Sequence, residues 1–340
     1  MNKIIFLDNS KVFSKWASKT YEYKINKIKE NNSLFKYIDF DDLKKMNDIS
    51  DILNSKLIIF GWNMTYISKF YTTKHNYYKK FIEKLEKEEE INKHLLELLK
   101  HKKKILLTQD LHKYDYKDGI PGLVNYLKKH NFYALLTPYI DSINIETIKD
   151  KIDIKILHLP HFIEENYFKK MNIRKEYDIF IYGNTSKSHY PFRNRMVDIL
   201  LNLNKQKKIK LLYWDKNLKS HYFKFDPNKS NNKLSEVINK SWMTLCSTLK
   251  YNFLVGKYFE TSMSNSIVLG NMTKEGKKIW NNNYIHIDNN MKDIEIENII
   301  LENLKNKSDI KKEINNMNVK IKKYYLSNFC EYLYNVIVNS

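Results

Sequence analysis

Two of the three arginines in this chain, Arg193 and Arg195, stand within a run of three residues just after an apolar segment and a glycine turn at Gly183. Lysine supplies the other 56 of the 59 basic side chains. Arginine used so sparingly, and placed here, points to a need for a planar fork. A guanidinium grips a phosphate through two parallel hydrogen bonds, whereas an ammonium acts as a point charge. Asp178 to Tyr182 reads as a buried strand and Gly183 to Ser188, which includes Lys187, as a polar turn. Pro191 opens an amphipathic helix that continues through Met196, Ile199 and Leu200. Strand, glycine turn and helix start together form an anion site. The competing reading is a solvated helix face, with Arg195 paired to Asp198 at i,i+3.

A second constellation lies in VGKYFETSMSNSIVLGN, Val255 to Asn271. The front of this segment reads as a short helix and Ile267 to Leu269 as the next strand, which puts Lys257 and Glu260 on one helix face, three residues apart. A pyrophosphate there would feel the helix dipole and Lys257, while the Glu260 carboxylate has the two oxygens needed to accept both hydroxyls of a ribose. The alternative is an exposed ion pair worth about 0.5 kcal/mol. Ser262, Ser264 and Ser266 either admit a backbone or ligand closely or serve as packing contacts. Tyr251, Asn252 and Phe253 precede this helix, as a stacking surface for a nucleobase or as core.

Two further loops carry groups capable of acid–base work. TQDLHKYDYKDGIPG, Thr108 to Gly122, brings Asp110, His112 and Asp115 together after a strand, so Asp110 and His112 are candidates to act on an acceptor hydroxyl; the alternative is an ordinary Asp- and Gly-rich turn. HLPHF, His158 to Phe162, sets His158 and His161 around a proline at the end of the first half, either facing a cleft or hydrogen-bonded to backbone. The Asp110, His112 and Asp115 cluster matches neither a zinc nor a calcium spacing and is a poor metal site.

The elements that must position these groups alternate along the chain. Lys3 to Leu7, Lys56 to Gly61, Lys104 to Thr108, Tyr133 to Thr137 and Leu157 to Leu159 are short apolar runs, separated by helical patterns such as Tyr77 to Leu99. Asp178 to Tyr182, Lys210 to Tyr213, Trp242 to Cys246, Ile267 to Leu269 and Tyr284 to Ile287 repeat the scheme. Continuous apolar strands separated by helices predict parallel sheets covered on both faces, hence an α/β chain of two Rossmann-like, doubly wound domains facing a cleft. Ligands then bind beyond the carboxyl ends of the strands, where all four loops fall. The expected domains are 1–163 on the acceptor side and 164–320 on the donor side, with a closing helical segment, 321–340, packing back towards the first domain.

At 340 residues, two domains are the default. With 42% hydrophobic and 14% aromatic residues the chain is built to bury cores, which excludes a disordered class. Its apolar runs are too short for a signal peptide or a membrane span, so a soluble, cytoplasmic protein is expected. Cys246 and Cys330 lack metal or redox spacing and read as packing residues. The net charge of +20 divides unevenly, with 29 basic and 23 acidic residues in 1–165 against 30 and 16 in 166–340. Nucleic acid is a partner such charge permits, but without a reading motif it is not the favoured one. The longest basic run, Lys100 to Lys104 broken by His101, reads as the end of a helix, complementing its dipole.

A strand, a glycine loop with YPxR (Tyr190, Pro191, Arg193), and KYFE (Lys257 to Glu260) leading into small residues resemble the C-terminal half of GT-B nucleotide-sugar glycosyltransferases. The pattern is most similar to the branch holding spore-maturation-type enzymes and giant-virus relatives. It covers roughly Tyr177 to Asn290, and KYFE is its most specific element. The resemblance implies transfer of a sugar from a nucleotide diphosphate donor, a UDP-sugar foremost, to a hydroxyl on a glycan or protein, with no metal or other cofactor. It implies that Glu260 contacts the donor ribose and Arg193 the diphosphate, with Gly183, Lys257 and Tyr258 beside them in the donor site. The chain departs from the pattern after the glutamate, where Thr261 to Ser266 holds neither Ala nor Gly. Two other readings stay open: an enzyme of this fold acting on modified DNA bases or binding nucleic acid, and a non-catalytic scaffold.

Overall fold

A computed structural model describes residues 3–8, 19–61, 93–108, 111, 119–214 and 230–340. The chain divides into two units, residues 1–160 with 328–340, and residues 161–327. The division falls three residues before the boundary read from the sequence, and it splits the closing segment, 321–327 going with the second unit and 328–340 with the first.

Unit 1 holds a six-stranded parallel sheet in the order β2-β1-β3-β4-β5-β6. Its strands are β1 (Ile4–Asp8), β2 (Phe35–Asp39), β3 (Leu57–Phe60), β4 (Lys104–Leu107), β5 (Ala134–Thr137) and β6 (Lys155–His158). Its helices are α1 (Lys19–Glu30), α2 (Phe40–Leu43), α3 (Ser50–Leu53), α4 (Lys93–Leu98), α5 (Gly119–Lys129) and α6 (Ile143–Lys149). Every residue of β1, β3, β4 and β5 is buried, as strands covered on both faces must be. Strand β2, absent from the sequence reading, lies at the sheet edge, where only Phe35 and Ile38 of FKYID are buried and no continuous apolar run shows.

Unit 2 holds a five-stranded parallel sheet, β11-β10-β9-β7-β8. Its strands are β7 (Tyr177–Tyr182), β8 (Leu211–Trp214), β9 (Ser241–Cys246), β10 (Ile267–Gly270) and β11 (Ile285–His286). Its helices are α7 (Pro191–Lys205), α8 (Ser230–Asn239), α9 (Lys257–Met263), α10 (Lys274–Trp280), α11 (Asp293–Lys305) and α12 (Lys307–Lys320). Two 3-10 turns, Ile321–Tyr324 and Leu326–Asn328, lead to α13 (Phe329–Val338), so two helices, α12 and α13, are joined through the closing segment.

The two-residue period of β7 decides what each helix meets. Ile179 and Ile181 point into one core with Met196, Leu200, Ile296 and Ile314. Phe180 and Tyr182 point into the other, with Tyr258, Phe259 and Trp280. Tyr182, the last residue of the strand, therefore faces α9 at the carboxyl edge of the sheet. Gly270 closes β10 at φ 147°, and a Cβ there would lie 1.9 Å from the Cys246 carbonyl oxygen. Only glycine lets β9 and β10 run this close at the edge that carries the site.

Candidate functional site

Arg193 comes from the first turn of α7, set by Pro191 at the helix start. Its side chain is buried, only 2% exposed. Nε donates to Ser247 Oγ at 3.0 Å and Nη1 to the Asn184 carbonyl at 2.7 Å. The flat face of the guanidinium lies 4.1 Å from the Tyr190 ring centroid, a cation–π contact. These contacts engage two of five N–H donors, and the other three have no partner among the described residues.

Lys257 opens α9 and is also buried, 9% exposed. Its Nζ donates to the Tyr182 carbonyl and lies 3.8 Å from the Tyr182 ring centroid. Gly183, at φ 93°, brings the two cations together: a Cβ there would sit 3.1 Å from Lys257 Nζ and 3.4 Å from Arg193 Nη1. A side chain would fill the space between them and strain the turn. One turn along α9, Glu260 Oε2 accepts the Tyr182 hydroxyl at 2.8 Å. Its other oxygen, Oε1, faces Gly256, 3.8 Å from where a Cβ would stand, and His161 Nδ1 approaches that same point to 3.8 Å.

The electrostatics follow from burial. Desolvation, then the neighbouring Arg193, hold the Lys257 ammonium well below its ordinary range. Desolvation raises the Glu260 carboxyl, offset in part by the Tyr182 hydrogen bond and by Lys257. The Tyr182 phenol is pushed up by burial and then by Glu260. Neither Arg193 nor Lys257 forms an ion pair with a carboxylate among the described residues. Two buried basic groups thus converge on Gly183, with Glu260 the acidic group that acts on Lys257.

The other expected residues fall differently. Arg195 does not pair with Asp198: its Nε and Nη2 bind Asp293 Oδ1 at 2.9 and 2.5 Å, and its remaining donors hold the Asn289 and Met291 carbonyls. This second fork ties α7 to the start of α11. Tyr258, expected beside the donor, is a core residue; it is fully buried, edge-on to Trp280, with its hydroxyl donating to the Asn271 carbonyl at 2.7 Å. Phe253 is fully buried and Tyr251 8% exposed, which removes both as an open stacking surface, while Asn252 adopts a left-handed backbone at φ 62°. The hydroxyls of Ser262, Ser264 and Ser266 bond Trp280 Nε1, Ser235 Oγ and Thr244 Oγ1 and are packing contacts. The exposed-pair reading of Lys257 and Glu260 fails as well, because each turns to Tyr182 instead.

Lys187 is exposed in the turn after β7. His158 ends β6 in unit 1 and His161 opens unit 2, so the two histidines belong to different units. Asp110, His112 and Asp115 lie outside the described residues. Tyr182, Asn184 and Ser247 escaped the sequence reading. Tyr182 alone had a signal, a polar-tipped ring ending an apolar strand; Asn184 acts through its carbonyl, and Ser247 reaches Arg193 across 54 residues. Among the described residues no group of three or more His, Cys, Asp or Glu is placed to hold a metal ion, and no helix is long and apolar enough to cross a membrane.

No protein-family model matches the chain, and no curated protein matches it. Its fold is found among solved structures. Sucrose-phosphate synthase from Thermosynechococcus elongatus aligns at a TM-score of 0.60 with 7% identity, over 99% of this chain and 98% of that one. HepE from Anabaena, solved in complex with UDP-glucose, aligns at 0.55 with 8% identity, over 99% and 100%. A glycosyltransferase from Rickettsia africae ESF-5 aligns at 0.50 with 13% identity, over 100% of both. TarM aligns at 0.50 with 13% identity over 71% of this chain, which spans 51% of TarM's length. These structures share the GT-B fold, and the two parallel α/β sheets described above are of that class.

Proposed function

We propose that the chain is a glycosyltransferase that takes a sugar from a nucleotide diphosphate donor, a UDP-sugar foremost, and transfers it to a hydroxyl on a glycan or protein. The observation that carries this reading is the convergence of buried Arg193 and Lys257 on Gly183, with the Glu260 carboxylate one helical turn away. A structure of the same fold, HepE, is known with UDP-glucose bound, which supports UDP as the nucleotide. In the proposed roles, the free N–H groups of Arg193 and the Lys257 ammonium hold the diphosphate, and Glu260 accepts the ribose hydroxyls. Charge on the leaving diphosphate grows as the glycosidic bond breaks, so both cations stabilise the transition state more than the bound donor. Asp110 and His112 are proposed on the acceptor side, and no metal or other cofactor is assigned.

A thermal-shift panel of UDP-, GDP-, ADP- and dTDP-sugars, followed by donor hydrolysis with the best of them, tests the proposal. UDP-sugars are expected to raise the melting temperature, and Glu260→Ala and Arg193→Ala each to abolish the rise. Unchanged shifts in both variants would remove the site assignment. No shift with any nucleotide sugar would favour a non-catalytic scaffold.

A further inference from the structure

The run Lys100 to Lys104 does not finish a helix: α4 ends at Leu98, and Lys104 is the first residue of β4. It wraps instead around two adjoining cavities, of about 520 and 490 Å³, that share Lys100, His101 and Lys102 as a common wall. Lys56 and Lys103 complete the cationic lining of the first, and Lys104, Lys129 and His130 that of the second. Against six lysines the linings contain one acidic residue, Glu97. None of the six ammonium groups pairs with a carboxylate among the described residues.

The framework under these groups is built rather than loose. His101 bridges two loops, its ring nitrogens facing the Lys103 carbonyl at 2.8 Å and the Ser55 carbonyl at 3.1 Å. Lys104 is 2% exposed, and its ammonium donates to the carbonyls of His101 at 2.9 Å and Asn131 at 3.4 Å. Lys103 and Lys155 each lie 4.8 Å from the Tyr133 ring centroid, which extends the cationic surface past the second cavity. Burial, then the neighbouring Lys129 and Lys104, hold the His130 imidazole below its ordinary range. All of this lies at the amino ends of β3, β4 and β5, the edge of the sheet opposite to the one where parallel sheets bind their ligands.

We propose that this double recess is a binding surface for a flexible phosphodiester chain, of the single-stranded nucleic-acid class. Uncompensated lysines along a groove neutralise successive phosphates and release their counterions. The recessed shape decides among polyanions. A bilayer presents a plane and is met by protruding side chains, and a duplex is a rigid rod that would touch only the rims. A single strand bends and follows the lysines from one cavity into the next.

The test uses the full chain and a fluorescent 20-nucleotide oligo-dT, with binding read by anisotropy between about 50 and 200 mM salt. Lys100, Lys102 and Lys129 are exposed and line the cavities, so the triple variant Lys100→Gln, Lys102→Gln, Lys129→Gln removes three contacts. It is expected to weaken binding at least about 10-fold and to make the log–log salt slope shallower by about 2, at about 0.7 per phosphate for single strands. Lys274→Gln, Lys277→Gln, Lys278→Gln removes the same charge from an exposed face of unit 2 and is expected to leave binding unchanged. Equal losses in the two variants would reduce the effect to net charge and overturn the proposal. So would displacement of the oligonucleotide by UDP, or binding to phosphatidylserine vesicles that the first triple variant abolishes while oligo-dT is not bound. Because UDP is a separate arm, failure here leaves the donor-site reading standing, and the reverse.

Discussion

Lys257 and Glu260 pull the stability of unit 2 in opposite directions as pH changes. The folded Glu260 carboxyl is raised, so the folded protein holds that proton more tightly than the unfolded chain. Its contribution is fully present below the ordinary carboxyl pKa of 4.5 and is lost as pH rises through the folded value. The folded Lys257 ammonium is lowered, so its contribution is present above 10.5 and is lost as pH falls through the folded value. Near neutral pH both charged forms oppose folding. Glu260→Gln is therefore expected to raise the melting temperature at neutral pH by a few °C, with no gain below pH 4.5, while removing stabilisation by UDP. Melting curves across pH, with and without UDP, check both halves; an unchanged Tm at neutral pH would mean Glu260 is not under desolvation stress.

A diphosphate beside Lys257 should reverse that lowered pKa, so donor binding at alkaline pH takes up a proton. Calorimetry in buffers of different ionisation enthalpy reads this directly, and Lys257→Met is expected to lose the uptake. At Arg193 the shape of the cation matters as much as its charge. Arg193→Lys keeps the charge but loses the Nε contact to Ser247 and the stack on Tyr190, and is expected to weaken UDP binding about 10- to 100-fold. An affinity within twofold of the parent would show that the fork is not used.

At the scale of elements, the site depends on how closely the carboxyl ends of β9 and β10 approach. Gly270→Ala would place a methyl 1.9 Å from the Cys246 carbonyl, in a backbone conformation that side chains rarely adopt. Backbone must move, and a loss above about 3 kcal/mol is expected in urea unfolding. Gly276→Ala meets the Met272 thioether at 2.3 Å, a flexible neighbour able to turn aside, so about 1–2 kcal/mol is expected. A reversed order would mean the strand edge is softer than the α10 contact. The same scale shows why some elements were legible and others not. The buried strands β1, β3, β4, β5, β7 and β9 announce themselves as largely apolar runs, because burial on both faces favours apolar side chains, with a few buried polar residues such as Asp8, Lys104 and Thr244 among them. Strand β2 does not, since at the sheet edge only Phe35 and Ile38 of FKYID are buried, one on each face, and two separated apolar residues make no run.

At the scale of the molecule, unit 1 is discontinuous. Helix α13 returns to it after all of unit 2, burying Phe329, Cys330, Leu333 and Ile337, with Tyr334 edge-on to Phe35 and the Ser340 carbonyl accepting from Tyr133. Removing residues 328–340 strips apolar cover worth about 1.5–3 kcal/mol for each large side chain. Hydrogen exchange is expected to rise in β1 and β6 and to stay unchanged in β9 and β10. A uniform rise across both units would show that they do not unfold separately.

Composition and spacing alone determined that this chain is α/β with parallel sheets, because strand burial and helix periodicity are local properties written into consecutive residues. They also singled out Arg193, Lys257 and Glu260, since rare arginine after a glycine turn and a Lys/Glu pair on one helical turn are visible in a string. What only tertiary structure decided is which groups meet. Arg193 and Arg195 looked equivalent, yet one turns to Ser247 and the other to Asp293, partners 54 and 98 residues away. Tyr258 and Glu260 sit two apart in KYFE, yet the helix turns the first into the core and the second onto Tyr182. Contacts between distant segments depend on how strands are ordered and which face each helix covers, and no local pattern encodes that order.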